Sequence, residues 1–389
     1  MAFMTVSPLT IATIFWLLAM PATPCSADAE VVIGQLASRT GNNPGGADNE
    51  SGAALAAAEI NAAGGLLGGR QLRLRVEDDQ TRADAAVVAF ERLARQGVSA
   101  VVGTSFSNAS LAVIPSAERA MIPYVSTGAA DAHVEPIRPF IYMTSLAGRL
   151  VAEQLLKYLR DKGVRKISVV YDEDSQFARS GWAKQRIMLA TYDIDVVGEH
   201  AVKVDTQDFT SAIEAVTRGD SQAVMAWLTG PPAIGFVKQY RQSGKDVPLL
   251  MSHGVASPAF VESVGQAAEG IVVATARATV AEQLPDSRAR QVAVAMTRAF
   301  EKRHGHPPSQ FAVDGYVAVK LIAAAIELAR SDRPVAIQAA LDRLTLLTPQ
   351  GTYRYSKEDH SGLQADDILI TQIHGGQFTL TDWSRQRLQ

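Results

Sequence analysis

The sequence predicts an α/β protein with parallel sheets, laid out as two αβ layers in succession, and three observations carry that prediction. Short β-rich runs alternate with segments of helical spacing from residue 31 to residue 252, the order expected of βαβ units. The chain has 389 residues, more than one core of ordinary size accommodates, so two domains are expected. Its composition, 47% hydrophobic and 20% charged, is that of a globular protein and leaves no case for collagen, coiled coil or wholesale disorder.

The elements follow in order. VVIGQLA (31–37) reads as a strand, and the alanine-rich residues 50–63 as a helix. GGLLGGR (64–70) then supplies glycines for a left-handed helix terminus and a turn into the next strand. QLRLRVEDD (71–79) alternates with period two, 83–95 has helical spacing, and 100–103, 107–120 and 122–126 continue as strand, helix and strand. A second series opens with a helix at 147–160, followed by the strand KISVVYD (166–172) and a helix at 177–190. It continues with strand 194–200, helix 208–217, strand QAVMAWL (222–228), helix 233–242 and strand VPLLMS (247–252). Between 286 and 344 the pattern changes to three helical stretches, of which 312–329 is the most apolar, and 351–380 returns to strands.

The ends and the charge bear on compartment and partners. LTIATIFWLLAM (9–20) is too short to span a bilayer comfortably and is followed by Pro21, Pro24, Ser26, Ala27 and Ala29. That is the outline of a cleaved signal peptide over residues 1–28, although no Lys or Arg precedes Arg39. Pro24 stands where a lipid-modified cysteine needs a small residue before it, so an exported, unlipidated chain without Cys25, the single cysteine, is expected. Such a chain has no disulfide, thiolate metal site or cysteine nucleophile. The net charge of -3 gives no basic surplus for a polyanion, so nucleic acid is not an expected partner.

No catalytic signature is found. GGLLGGR has Arg70 and Gln71 where a phosphate loop needs Lys and Ser or Thr, and it precedes a strand instead of following one. There is no G-x-S-x-G elbow and no H-E-x-x-H pair. Asp172, Glu173 and Asp174 read as a solvated loop, since consecutive loop residues point in different directions. Neither an enzyme nor a cofactor or metal site is expected.

The informative loops follow strands, where open α/β sheets place their ligands. GTSFSNAS (103–110) puts Ser107 at the start of a helix, where backbone N–H groups, a hydroxyl and the helix dipole suit a carboxylate. The alternative, that Ser107 merely caps its helix, stands equally open. STGAA (126–130) supplies small residues that let a ligand approach the backbone.

Several motifs in this order resemble one family: VVIGQLASRTG at the first strand, then AAEINAAGG (57–65), VVGTSFSNAS (101–110), IPYVSTGA (122–129), FARSGW (177–182) and AAEGIVV (267–273). The chain is similar to the periplasmic solute-binding proteins of branched-chain amino acid ABC transporters, the leucine/isoleucine/valine type. The resemblance implies a type I periplasmic binding fold, with two Rossmann-like lobes, three crossovers and a ligand in the cleft. It implies one lobe from 29–142 plus 275–350 and a second from 143–274 plus 351–389. It also implies a carboxylate held by Ser107 and by the loop of Gly128, Ala129 and Ala130, with Phe177 packed against the ligand; Asn108, next to Ser107, is a further candidate for ligand contact.

Two positions depart from the family pattern. Ala130 stands where amino-acid binders carry a hydroxyl, and His253 where they carry an acidic residue for the ammonium. A buried ammonium without an anion is costly, so the departures favour a carboxylate lacking the amino group, aromatic acids included. A solvent-facing loop histidine is the alternative for His253. Trp227 and Thr229, at the end of another strand, are candidates for ligand contact, core packing being an equal reading for Trp227. Asn42 and Asn43 in the first loop suit a turn better than a ligand. The expected function is an exported solute-binding protein that delivers an amino acid or related small organic acid to an ABC permease. A sensor of the same fold feeding a regulator or receptor is the rival.

Overall fold

The computed structural model describes residues 1–2, 30–41 and 45–389, so most of the expected signal segment, Cys25, Asn42 and Asn43 lie outside the described residues. Five parallel strands form the first sheet: β1 (Val31–Ala37), β2 (Leu72–Asp78), β3 (Ala100–Val102), β4 (Tyr124–Ser126) and β5 (Ile141–Met143), in the order β2-β1-β3-β4-β5. They are joined by α1 (Gly46–Ala62), α2 (Ala83–Arg95) and α3 (Ser107–Ala120). β3, β4 and β5 are fully buried three-residue runs. Strands packed on both faces read as continuous apolar stretches, and β5 is too short to show a period, so only the fold exposes it.

The second series runs α4 (Gly148–Asp161), β6 (Lys166–Asp172), α5 (Gln176–Met188), β7 (Asp195–Val202), α6 (Thr210–Thr217), β8 (Ala223–Trp227), α7 (Gly230–Gln242), β9 (Leu249–Met251), α8 (Pro258–Val264) and β10 (Val272–Thr275). α7 starts three residues before the helical spacing suggested. Pro231 and Pro232 fit its first turn, where a missing N–H costs no intrahelical bond. Then come α9 (Arg288–His304), α10 (Gln310–Ala329) and α11 (Pro334–Leu341), a ribbon of β11 (Thr345–Leu347) and β12 (Thr352–Arg354), β13 (Leu369–His374), β14 (Gln377–Leu380) and α12 (Asp382–Arg387).

The second sheet has seven strands in the order β14-β13-β10-β9-β8-β6-β7. Its β6 to β10 members are parallel, while β13 and β14 add an antiparallel edge. The chain passes between the two sheets three times: after β5, between β10 and α10, and between β12 and β13. These passages lie side by side. Met143 N donates to His360 O at 3.0 Å, Tyr355 Oη to Met143 O at 2.7 Å, and Gln310 N to Ala256 O at 2.9 Å. Buried Tyr142, Tyr353 and Tyr355 pack here and join the apolar layers of both lobes. α10 returns to the first sheet and packs along α1. Among the described residues no helix is long and apolar enough to cross a membrane.

Candidate functional site

The C-terminal ends of β3 and β4 face those of β6, β8 and β9 across a cleft. Gly103 leaves β3 with φ +101°, and a Cβ there would lie 2.0 Å from Leu36 O, so the turn requires glycine. The chain then enters α3 with Phe106 at the N-cap, so Ser107 does not cap its own helix. Ser107 Oγ instead accepts from Ala129 N at 3.2 Å, tying the helix start to the loop after β4. Gly128 N donates to Ser126 Oγ at 3.1 Å, and a Cβ on Gly128 would press to 3.1 Å against Ser107 Oγ. Ala130 O accepts from Nδ1 of the fully buried His133 at 2.6 Å. Burial pushes that imidazole down to about 4.

The facing wall is built the same way. Ser175 caps α5 by accepting from Ala178 N at 3.3 Å, which sets Phe177 on the first turn. Thr229 follows β8 and donates to Gly254 O at 2.9 Å. His253 follows β9 and is 3% exposed, its ring edge-on to Phe177 with centroids 5.4 Å apart. Its Nε2 lies 3.4 Å from Ser145 Oγ, and Nδ1 has no partner among the described residues. Burial pushes His253 down to about 3, so the ring is neutral at physiological pH.

These groups enclose a cavity in which the centre of a water molecule can sweep about 60 Å³. Ser105, Phe106, Ser107, Thr127, Ala129 and Phe311 line one side, and Ser175, Phe177, Thr229, His253 and Gly254 the other, with Ser145 from the crossover between them. None of these residues is Asp, Glu, Lys or Arg. A larger space of about 490 Å³ opens outward from Phe106, Ser175 and Thr229 toward Arg82, Asn108 and Asp174.

Five residues singled out from the sequence thus meet at the inner cavity: Ser107, Ala129, Phe177, Thr229 and His253. The solvent-facing reading of His253 is overturned by its burial. Gly128 and Ala130 stand just behind the wall. Trp227 is completely buried, donates from Nε1 to Gln185 Oε1 at 2.7 Å, and backs Phe177 edge-on at 5.8 Å. It supports the wall and does not line it, because a strand-end ring facing a helix is enclosed by that helix.

Asn108 also differs from expectation. Its Nδ2 donates to Asp174 O at 2.9 Å and its Oδ1 accepts from Gln176 N at 2.9 Å, so both ends of the amide grip the backbone of the opposite lobe. A second clasp lies beside it. Asp131 N donates to Ser180 Oγ at 3.0 Å, and the Asp131 carboxylate accepts from Ser180 Oγ and Arg149 N, each at 3.1 Å. The lobes are therefore closed on each other through polar contacts that leave the cavity interior free.

Ser105, Phe106, Thr127, Ser145, Ser175, Gly254 and Phe311 line the cavity without having been singled out from the sequence. Phe106 and Thr127 lie inside motifs already quoted, so their position was readable. Ser145 follows the unrecognised β5, and Phe311 reaches the cavity only because the chain returns to the first lobe, which no local pattern encodes.

Two αβ lobes joined by three passages, the first with its sheet in the order β2-β1-β3-β4-β5, have the architecture of the type I periplasmic binding proteins, a class that binds ligands and catalyses no reaction. The model of the family described as "Periplasmic binding protein" matches residues 30–377, and the chain belongs to that family. It is 24% identical over 329 residues, 83% of this chain and 84% of the other, to a leucine-, isoleucine-, valine-, threonine- and alanine-binding protein of Pseudomonas aeruginosa. The fold is also that of a branched-chain amino acid transporter substrate-binding protein from Streptococcus pneumoniae in complex with isoleucine, at 21% identity and TM-score 0.80, covering 90% of this chain and 98% of that one. An ABC transporter solute-binding protein from Rhodopseudomonas palustris in complex with benzoate matches at 20% identity and TM-score 0.78, covering 90% and 95%.

Proposed function

We propose that this chain is the exported solute-binding component of an ABC importer, and that its cleft closes on a small carboxylic acid without an α-amino group, aromatic acids being the best fit. The observation that carries the reading is the charge of the cavity wall. An ammonium buried there would meet the neutral His253 and no carboxylate, a cost of several kcal/mol. A carboxylate finds the Ser107 hydroxyl and the start of α3 on one side. Phe106, Phe177 and Phe311 supply apolar walls that suit a flat ring.

In this reading the ligand touches both lobes, 29–142 plus 275–350 and 143–274 plus 351–389, and raises the closed population that the permease recognises. The relatives' ligands, branched-chain amino acids on one side and benzoate on the other, bracket the same choice. Calorimetry on ligand-stripped protein separates them: benzoate is expected to bind at least ten-fold more tightly than leucine, a gap of about 1.4 kcal/mol. Tight leucine binding that His253→Ala leaves unchanged overturns the reading. Intact mass of periplasmic protein tests export, with a start between Asp28 and Glu30 and no added lipid mass expected.

A further inference from the structure

One carboxylate in the outer space of the cleft has no counterpart among the described residues. That space shares Phe106, Ser175 and Thr229 with the inner cavity, so a molecule seated inside can continue outward between the lobes. Asp172, the last residue of β6, lines it and is 4% exposed. Its Oδ1 accepts from Asp174 N at 2.9 Å, while its Oδ2 has no hydrogen-bond partner and no cation within ion-pair distance among the described residues. Asp174 also lines the space, at its exposed rim, and its carboxylate accepts from Val204 N at 3.2 Å. Arg82, the basic residue in these walls, is engaged by Asp84 in an exposed ion pair. Burial pushes the Asp172 carboxyl up, and Asp174 and Glu173 push it the same way.

A carboxylate held this deep costs free energy until a cation or a donor meets it. Buried polar groups find partners inside their own protein in the great majority of cases, so an oxygen left open on the wall of a cleft marks a place for a donor from outside. A metal ion asks for more ligands than this: no group of three His, Cys, Asp or Glu residues able to hold one occurs among the described residues. An ammonium asks for one carboxylate and apolar contact for its stem, and Val204, Pro231 and Pro232 line the same space.

We propose that the outer space is a second subsite, in which Asp172, backed by Asp174, takes an ammonium at the far end of a ligand whose carboxylate lies in the inner cavity. The proposal rests on the reading of the inner cavity as the acid site, and it adds the ligand class: an elongated acid with its amine remote from the carboxylate, the two joined by a ring or a run of methylenes. The inner wall opposes an ammonium beside the carboxylate, and the outer wall favours one farther along. The two walls together select by the distance between the charges, which α-amino acids do not meet.

Calorimetry on ligand-stripped protein at pH 7 tests the subsite with para-propylbenzoate and para-(aminoethyl)benzoate, which differ in a terminal methyl against an ammonium. The wild type is expected to bind the amine at least ten-fold more tightly, about the worth of one hydrogen bond between charged groups. Asp172→Asn keeps an acceptor for Asp174 N and removes the charge, and it is expected to bring that ratio within two-fold. Equal affinity for the two acids in the wild type, or a ratio that survives in folded Asp172→Asn, overturns the proposal. Should Asp172→Asn fail to fold, Asp174→Asn takes its place: a ratio narrowed about two-fold or more supports the subsite, and an unchanged one overturns it. Benzoate, with the carboxylate alone, and para-methylphenethylamine, with the ammonium alone, separate the two readings. If the amine binds and the Asp172 or Asp174 variant weakens it while benzoate does not bind, the acid reading fails and the ammonium subsite stands. If benzoate binds and the ammonium brings no gain, the subsite fails alone.

Discussion

Replacing Asn108 by Ala removes a latch without touching the inner cavity. The side chain makes two interlobe hydrogen bonds, to Asp174 O and from Gln176 N, both at 2.9 Å. With the lobes apart, water satisfies the same four groups, so only the net value of each bond is lost, about 0.5–1.5 kcal/mol. The pair is partly exposed, which places the sum at about 1–2 kcal/mol of the preference for closure, a factor of roughly 5–30. Ligand binds the closed arrangement, so the apparent dissociation constant rises by that factor wherever closure limits binding. Every acid is affected alike, because Asn108 contacts none of them. The assay is calorimetry with benzoate and one aliphatic acid, wild type against Asn108→Ala, with thermal unfolding of the free protein as a control. A dissociation constant within two-fold of wild type would show that the latch adds nothing to closure. A changed ratio between the two acids would show that Asn108 touches the ligand.

Ser107→Ala should weaken acid binding by roughly 1.5–3 kcal/mol, the value of a hydrogen bond to a charged group, with unfolding little changed; an unchanged dissociation constant by calorimetry would confine Ser107 to its bond with Ala129. His253→Glu supplies the missing anion and should shift preference from acids lacking an amino group toward leucine and valine, measured as the ratio of dissociation constants. Acid should also destabilise the protein through two of its buried imidazoles. His133 and His253 are pushed by burial to about 4 and about 3 in the native state, against 6.5 unfolded. The unfolded chain therefore takes up protons first, and their stabilising contribution, complete above pH 6.5, declines as pH falls toward those native values. The slope is up to about 1.4 kcal/mol per pH unit for each ring. Urea unfolding at pH 7.5 and pH 5 is expected to show a smaller acid loss in the double variant His133→Gln, His253→Gln, and an equal loss would refute the assignment.

The alternation of strand and helix was legible along the chain because each βαβ unit is local: apolar runs such as VVIGQLA and KISVVYD bury themselves against the helix that follows. So were the loops GTSFSNAS and STGAA, since glycine, serine and alanine at strand ends mark close backbone approach. What the sequence left open was settled by contacts between distant residues. For Ser107 the cap reading fell away, because Phe106 takes the N-cap and Ser107 Oγ accepts from Ala129 N, 22 positions away. Trp227 was equally a ligand contact or core, and Gln185 and Phe177 closed it into the core. Asn108 read as a ligand residue because its neighbour did, yet its partners are backbone groups of the opposite lobe. Phe311 and Ser145 reach the cavity only through crossovers that bring separate stretches of chain together. Local periodicity fixes which face of an element is buried, but which atoms meet across a cleft depends on how two lobes are set against each other, and no single stretch of sequence contains both.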